Sequence, residues 1–360
     1  SGWIADRFGT KKIFFSAILL FSFGSLLCAL SGTLNELIGA RIVQGLGGAL
    51  MLPIGRLVVL KAYPRSELVR IMGFITIPGL LGPLIGPTMG GWMVEYLSWH
   101  WIFLINLPVG LLGCWAVWHF IPDLRGSERT RFDTLGFVLF GAAPVLFKTR
   151  TFAVGILGNL FARLGSGALP FLVPLLLQVA LGYSPSQAGM SMLPLAAAAM
   201  LAKWVARPLI ERVGYRTVLT TNTFALGLML ASMGLVTEHT PYPLLLGMLA
   251  VLGAINSLQF TAMNTVTLID LDDASASSGN SLLSVVAQLS LSLGVACAGA
   301  LLGGFTGDGG EEGVDTVLGA FQLTFLTVGI MAMLAAAIFL QLSPKDGRKP
   351  KANSEHDLEH

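Results

Sequence analysis

Ten long apolar runs, joined by loops that carry basic residues on alternate sides only, confine this chain to a narrow set of folds. The runs cover residues 13–30, 36–60, 71–97, 101–120, 152–181, 189–205, 217–236, 244–268, 279–305 and 317–342. As helices rising about 1.5 Å per residue, they are long enough to cross a hydrocarbon core of roughly 30 Å. Counting from Asp6, the odd-numbered connections hold Arg7, Lys11 and Lys12, then Lys61, Arg65 and Arg70, then Arg125, Arg129, Arg131, Lys148 and Arg150. Further on come Arg207, Arg212 and Arg216, and finally Lys345, Arg348, Lys349 and Lys351 in the tail. The opposite connections, 31–35, 98–100, 182–188, 237–243 and 306–316, contain neither Lys nor Arg. That asymmetry is the positive-inside pattern, and it predicts a cytoplasmic C-terminus.

Composition agrees with an all-α polytopic membrane protein. Charged residues make up 12% of the 360-residue chain, about half the share that covers a soluble domain. The 43 glycines and 17 prolines would break soluble helices at this density, whereas helices in lipid use small residues to approach closely. A net charge of +2 gives no ground for a nucleic-acid partner. Cys28, Cys114 and Cys297 lie inside apolar runs, without metal-ligand spacing, and read as packing residues. The implied partners are the lipid bilayer and a small molecule, with the protein expected as a monomer.

One segment breaks the pattern. Thr134–Phe147 is apolar for only 14 residues, about 21 Å of helix, and has basic residues on both flanks. A single crossing there would reverse every later loop, so a fused or excised helical hairpin is expected. The organisation read from this is an N-terminal bundle over 1–133, a truncated inter-bundle segment over 134–151, and a six-span bundle over 152–342. A tail over 343–360 ends in Leu358-Glu359-His360, similar to a tag remnant.

The two bundles repeat one another. Ala5-Asp6-Arg7-Phe8-Gly9-Thr10-Lys11 recurs as Ile210-Glu211-Arg212-Val213-Gly214-Tyr215-Arg216, an offset of 205. Gly47 and Gly73 recur as Gly253 and Gly279, an offset of 206. Two homologous halves are a common transporter plan. If each half has six spans, the first retains its third to sixth, and its first two would precede Ser1.

Four motifs then carry a family resemblance over the first 110 residues. Gly2-Trp3-Ile4-Ala5-Asp6-Arg7-Phe8-Gly9-Thr10-Lys11-Lys12 resembles the signature loop after the second span of major facilitator proteins. Arg41-Ile42-Val43-Gln44-Gly45-Leu46-Gly47 is similar to their fourth-span motif. Gly73, Gly82 and Gly86-Pro87-Thr88-Met89-Gly90-Gly91 resemble the fifth-span antiporter motif. Trp99 to Gly110 looks like the hallmark of the fourteen-span drug:proton antiporters, although His100 stands where that branch usually has Arg. The resemblance implies two pseudo-symmetric helical bundles and proton-coupled export of amphipathic drugs by alternating access from a bacterial inner membrane. It implies no cofactor beyond the proton gradient. It also places the family's usual proton carrier, an Asp of the first span, ahead of Ser1.

Candidate functional residues follow from the cost of polar groups at membrane depth. Arg41 and Gln44, Asn159 and Arg163, and Asn256, Gln259 and Asn264 fall in what would be spans four, seven and ten, expected to line a cavity. Asn159 and Arg163 share a helix face. Phe260 and Met263 could add a soft apolar wall, or simply pack. Asp6, Arg7 and Gly9, with Arg70, Glu211 and Arg212, could latch the bundles by setting carboxylates at helix N-termini. A tight turn with topogenic charges is the plainer alternative. Gly73, Gly82, Gly86, Pro87, Gly90 and Gly91 read either as an antiporter packing groove or as ordinary small-residue packing. No metal site and no nucleophile–base pair is apparent, so an enzyme is not expected. All 20 carboxylates lie in loops, at span ends or in the tail. Cavity arginines without a cavity carboxylate leave a second cargo open, an organic acid or its metal chelate.

Overall fold

The computed structural model describes residues 7–62, 82, 85–122, 146–271, 273–306 and 314–343. Every regular element among them is helical. The helices group into two compact units, residues 1–137 with 185–189, and residues 138–184 with 190–360.

In the first unit, α1 spans Thr10–Leu30 and α2 spans Leu34–Ala62. Residues 85–96 form α3, followed by α4 (Trp101–Leu104) and α5 (Asn106–Phe120). Glycine sets how closely α1 and α2 approach. A Cβ on Gly24 would overlap the Gln44 backbone, and one on Gly47 would overlap that of Phe21. Leu34 to Gly55 is long and apolar enough to cross a bilayer, and so are Thr10–Leu30 and Trp101–Phe120.

The second unit is built around one glycine-studded span. It runs from α6 (Arg150–Gly167) through α7 (Leu169–Leu175) into a π-helical turn, Leu176–Ala180. Pro170 and Pro174 lack the N–H that an unbroken α-helix needs, and the wider turn follows directly after them. After it come α8 (Pro185–Ser191), whose first five residues group with the first unit, α9 (Leu193–Val213) and α10 (Tyr215–Met233). They are followed by α11 (Tyr242–Ile269), α12 (Asp273–Thr306) and α13 (Val314–Phe339). Gly155 meets Thr267 of α11, Gly167 meets Leu291 of α12, and Gly165 meets Ala332 of α13. Thus three neighbours close on α6 where it has no side chain. The core below them includes Val154, Ala162, Leu219, Met263 and Phe339, all buried.

Eight helices among the described residues are long and apolar enough to span a membrane. Two of the ten expected runs are not among them. About half of the run 71–97, including its first eleven residues, lies outside the described residues, and only 85–96 of it forms a described helix. The run at 217–236 forms α10, long enough at 19 residues, but Thr217, Thr220, Thr221, Asn222 and Thr223 make it more polar than its neighbours. The truncated segment 134–147 also lies almost wholly outside the described residues.

The repeat read from the sequence has a backbone counterpart. Gly9 precedes α1 with φ 94° and ψ 135°, and Gly214 precedes α10 with φ 92° and ψ 154°. No non-glycine residue among those described has positive φ. Both turns therefore use a conformation that side chains disfavour, at positions 205 apart.

Candidate functional site

Each unit holds a polar cluster built on an arginine within an apolar helix. In the second unit the cluster begins with Asn159, which is fully buried. Its Nδ2 donates to the Gly155 carbonyl at 3.0 Å and reaches Thr267 Oγ1 at 3.5 Å. Gly155 makes this possible, because a Cβ there would fall on Thr267 and hold α11 away. Asn159 Oδ1 then accepts from Arg163 Nε at 2.8 Å. Arg163 Nη2 donates to Asn264 Oδ1 at 3.3 Å, and the guanidinium lies 4.3 Å from the centre of the Phe260 ring. Arg163 is 4% exposed, whereas Phe260 is 49% exposed. Two amides and a ring face thus orient a buried cation, and no carboxylate among the described residues pairs with it. A buried charge without a counter-charge costs several kcal/mol, so this arrangement favours an anionic or strongly polar guest, or water.

The first unit has its own chain of contacts. Arg41 Nη1 donates to Gln44 Oε1 at 2.7 Å, and Gln44 Nε2 donates to Ser25 Oγ at 2.5 Å. Asn106 Nδ2 reaches the same hydroxyl at 3.3 Å. Gln44 is buried, while Arg41 is exposed with its guanidinium 5.8 Å from the Phe103 ring centre. The charge therefore sits at the open end and the amide anchors it.

The expected cavity residues divide between two faces of α11. Asn264 and Phe260 meet Arg163, and Asn256 lies half-buried one turn earlier on the same side. Gln259 turns away: its Nε2 donates to Thr223 Oγ1 at 2.6 Å, and its Oε1 accepts from Asn222 at 3.0 Å. Met263 is 1% exposed, packed in the core with Val266 and Leu219. These two hold α10 and α11 together rather than facing an opening. Thr267, Ser25 and Asn106 were not anticipated. Thr267 lies three residues after Asn264, and hydroxyls in spans usually bond their own helix, as Thr267 also does to the Met263 carbonyl.

The latch residues are described in part. Asp6 and Arg70 lie outside the described residues. Arg7 stands 5.7 Å from the Phe8 ring centre, and Glu211 and Arg212 are exposed at the end of α9. Tyr215, just ahead of its span, has a hydroxyl pKa raised first by burial and then by the carboxylates of Glu211 and Asp270. The helix N-terminus expected near Gly279 is elsewhere. Because α12 begins at Asp273, Gly279 lies inside the helix, beyond the first four unpaired N–H groups.

The antiporter glycines are also uneven. No described atom lies within 4 Å of a Cβ built on Gly82, Gly86 or Gly90, so these three make no close contact among the described residues. Gly91 does make a close approach, against Pro185 and Ser186, and Gly189 makes the reciprocal one against Pro87 and Thr88. Thr88 Oγ1 donates to the Gly189 carbonyl at 3.3 Å, and Glu95 accepts from Ser186 N–H at 2.9 Å. Gly73 lies outside the described residues. Among the described residues no cluster of His, Cys, Asp or Glu could hold a metal ion.

Comparison with known proteins decides the family. The Major Facilitator Superfamily model matches residues 1–295 and again residues 155–359. The chain belongs to the major facilitator superfamily. It is 43% identical over 394 residues to "Putative multidrug resistance protein MdtD" of Pectobacterium atrosepticum, covering 96% of this chain and 84% of that protein. The protein of the same name in Cronobacter sakazakii is also 43% identical, with 95% and 83% covered. These matched regions are longer than the 360-residue chain, so the relatives carry internal residues that it lacks. Among solved structures, the D-xylose-proton symporter superposes with a TM-score of 0.75 at 14% identity, covering 97% of this chain and 84% of the symporter. An inward-facing bacterial homologue of the human lysosomal transporter Spinster gives 0.71 at 19% identity, with 97% and 86% covered. At such identities the likeness establishes the fold alone. This major facilitator chain is a multi-pass membrane transporter, and its superfamily sets it apart from enzymes.

Proposed function

We propose that this transporter exports small amphipathic molecules by proton-coupled alternating access in a bacterial inner membrane, with its C-terminus in the cytoplasm. The observation that carries the site is Arg163, buried yet unmatched by a described carboxylate, and bridged to two asparagines beside an open aromatic ring. Phe260 offers the apolar contact, and the half-buried amides of Asn256 and Asn264 offer polar ones, a mixture suited to amphipathic guests. The names of the MdtD relatives support drug export, and the basic loops support the orientation. The internal residues present in the relatives support reading 134–151 as a shortened inter-bundle segment. The protein acts as a monomer in this reading.

The test is energised efflux of a fluorescent lipophilic cation. Collapsing the proton gradient with an uncoupler stops efflux if the coupling is right and leaves it unchanged if it is wrong. The same lone guanidinium favours a second reading, export of an organic acid or its metal chelate. Equilibrium binding of a lipophilic cation against a carboxylate of similar size separates the two. Preference for the carboxylate, lost in Arg163→Gln, selects the second.

A further inference from the structure

Two grooves, one in each unit, share one wall at equivalent positions of the internal repeat. In the first unit, Phe15 of α1 and Cys114, Trp115, Trp118 and His119 of α5 line a groove of about 450 Å³. In the second, Thr221 and Phe224 of α10 face Met333 and Ala337 of α13, and Leu340 just beyond it, around about 400 Å³. The offset that relates Gly9 to Gly214 relates Phe15 to Thr220 of α10, so one wall of each groove comes from equivalent positions of the repeat. It also relates Lys11 to Arg216. Lys11 Nζ lies 5.1 Å from the centre of the Trp118 ring, at the mouth of its groove. Arg216 is one turn before Thr220, another lining residue, on the same face of α10. Each groove is therefore an apolar slot with a cation at the end that the basic loops assign to the cytoplasm.

The geometry points to a pair of lipid sites, one in each unit, for an anionic glycerophospholipid of the cytoplasmic leaflet. One acyl chain fills the groove and the headgroup phosphate meets Lys11 or Arg216. Charge decides the class of occupant: a basic residue beside a slot between spans, on the cytoplasmic side, selects phosphate-bearing anionic headgroups. Tryptophan at the membrane interface would by itself explain Trp115 and Trp118. It would not explain why the slot recurs in the other unit without tryptophan but with the cation retained.

Native mass spectrometry of the purified protein tests this, using phosphatidylglycerol and phosphatidylcholine with identical acyl chains. The expected result is two tightly held phosphatidylglycerols and weaker phosphatidylcholine. Lys11→Ser and Arg216→Ser should each weaken one of them by about fivefold, the value of one basic residue near an anionic surface, and together abolish the headgroup preference. Ala337→Trp keeps every charge and fills the second groove from an exposed position, so it should remove one lipid. Circular dichroism confirms that each variant remains helical. Equal affinity for the two headgroups in the wild type overturns the proposal, as does phosphatidylglycerol binding that all three variants leave unchanged.

Discussion

Arg163 illustrates what a guanidinium does when it is buried among amides instead of carboxylates. Asn159 takes Nε and Asn264 takes one Nη, so the fork is fixed while its charge stays uncompensated by described residues. Lysine cannot reproduce that two-point hold, because an ammonium is a point charge on a flexible stem. Arg163→Lys is expected to cut transport at least tenfold although the charge is retained; uptake into inverted vesicles measures this. Gly155 is the second residue on which the site depends. In Gly155→Leu the new side chain meets Thr267 and pushes α11 away, which should cost about 1–3 kcal/mol and show as a lower melting temperature in detergent. At this scale the sequence made Asn159 and Arg163 legible through their spacing of four. It left Gln259 and Met263 among the cavity residues, because spacing along α11 does not say which face meets α10.

Glycine decides how the elements meet, and the motif glycines are not equivalent. Gly91 and Gly189 hold two backbones in contact, whereas Gly86 and Gly90 meet no described atom. Gly91→Leu should therefore lower folded yield, measured by fluorescence-detected size exclusion, while Gly86→Ala leaves it unchanged. The turns at Gly9 and Gly214 make a paired prediction. Alanine at either position adopts a backbone region nearly reserved for glycine, with an expected loss of about 1–3 kcal/mol, again read as melting temperature. The sequence repeat announced this pair, since the acidic-basic-glycine spacing recurs intact. The start of α12 was less legible, because the polar stretch Asp273–Ser278 carries no apolar signal and yet continues the helix to Asp273.

On the scale of the whole chain, hydropathy and basic-loop asymmetry specify both the class of fold and a testable orientation. A cysteine placed at Thr240 should react with an impermeant maleimide from outside cells, and one at Thr149 only after the membrane is opened. Reversed labelling would refute the orientation. The all-helical fold was legible because lipid leaves few alternatives to helices. α10 was recognisable from its length but is more polar than its neighbours, since its threonines and Asn222 bond within the unit. How the guest meets the protein depends on side-chain direction, which composition does not encode. The most direct test of the Arg163 site is counterflow in proteoliposomes, comparing wild type with Arg163→Ala at equal amounts of folded protein. A loss of at least tenfold is predicted; exchange at the wild-type rate would contradict the account.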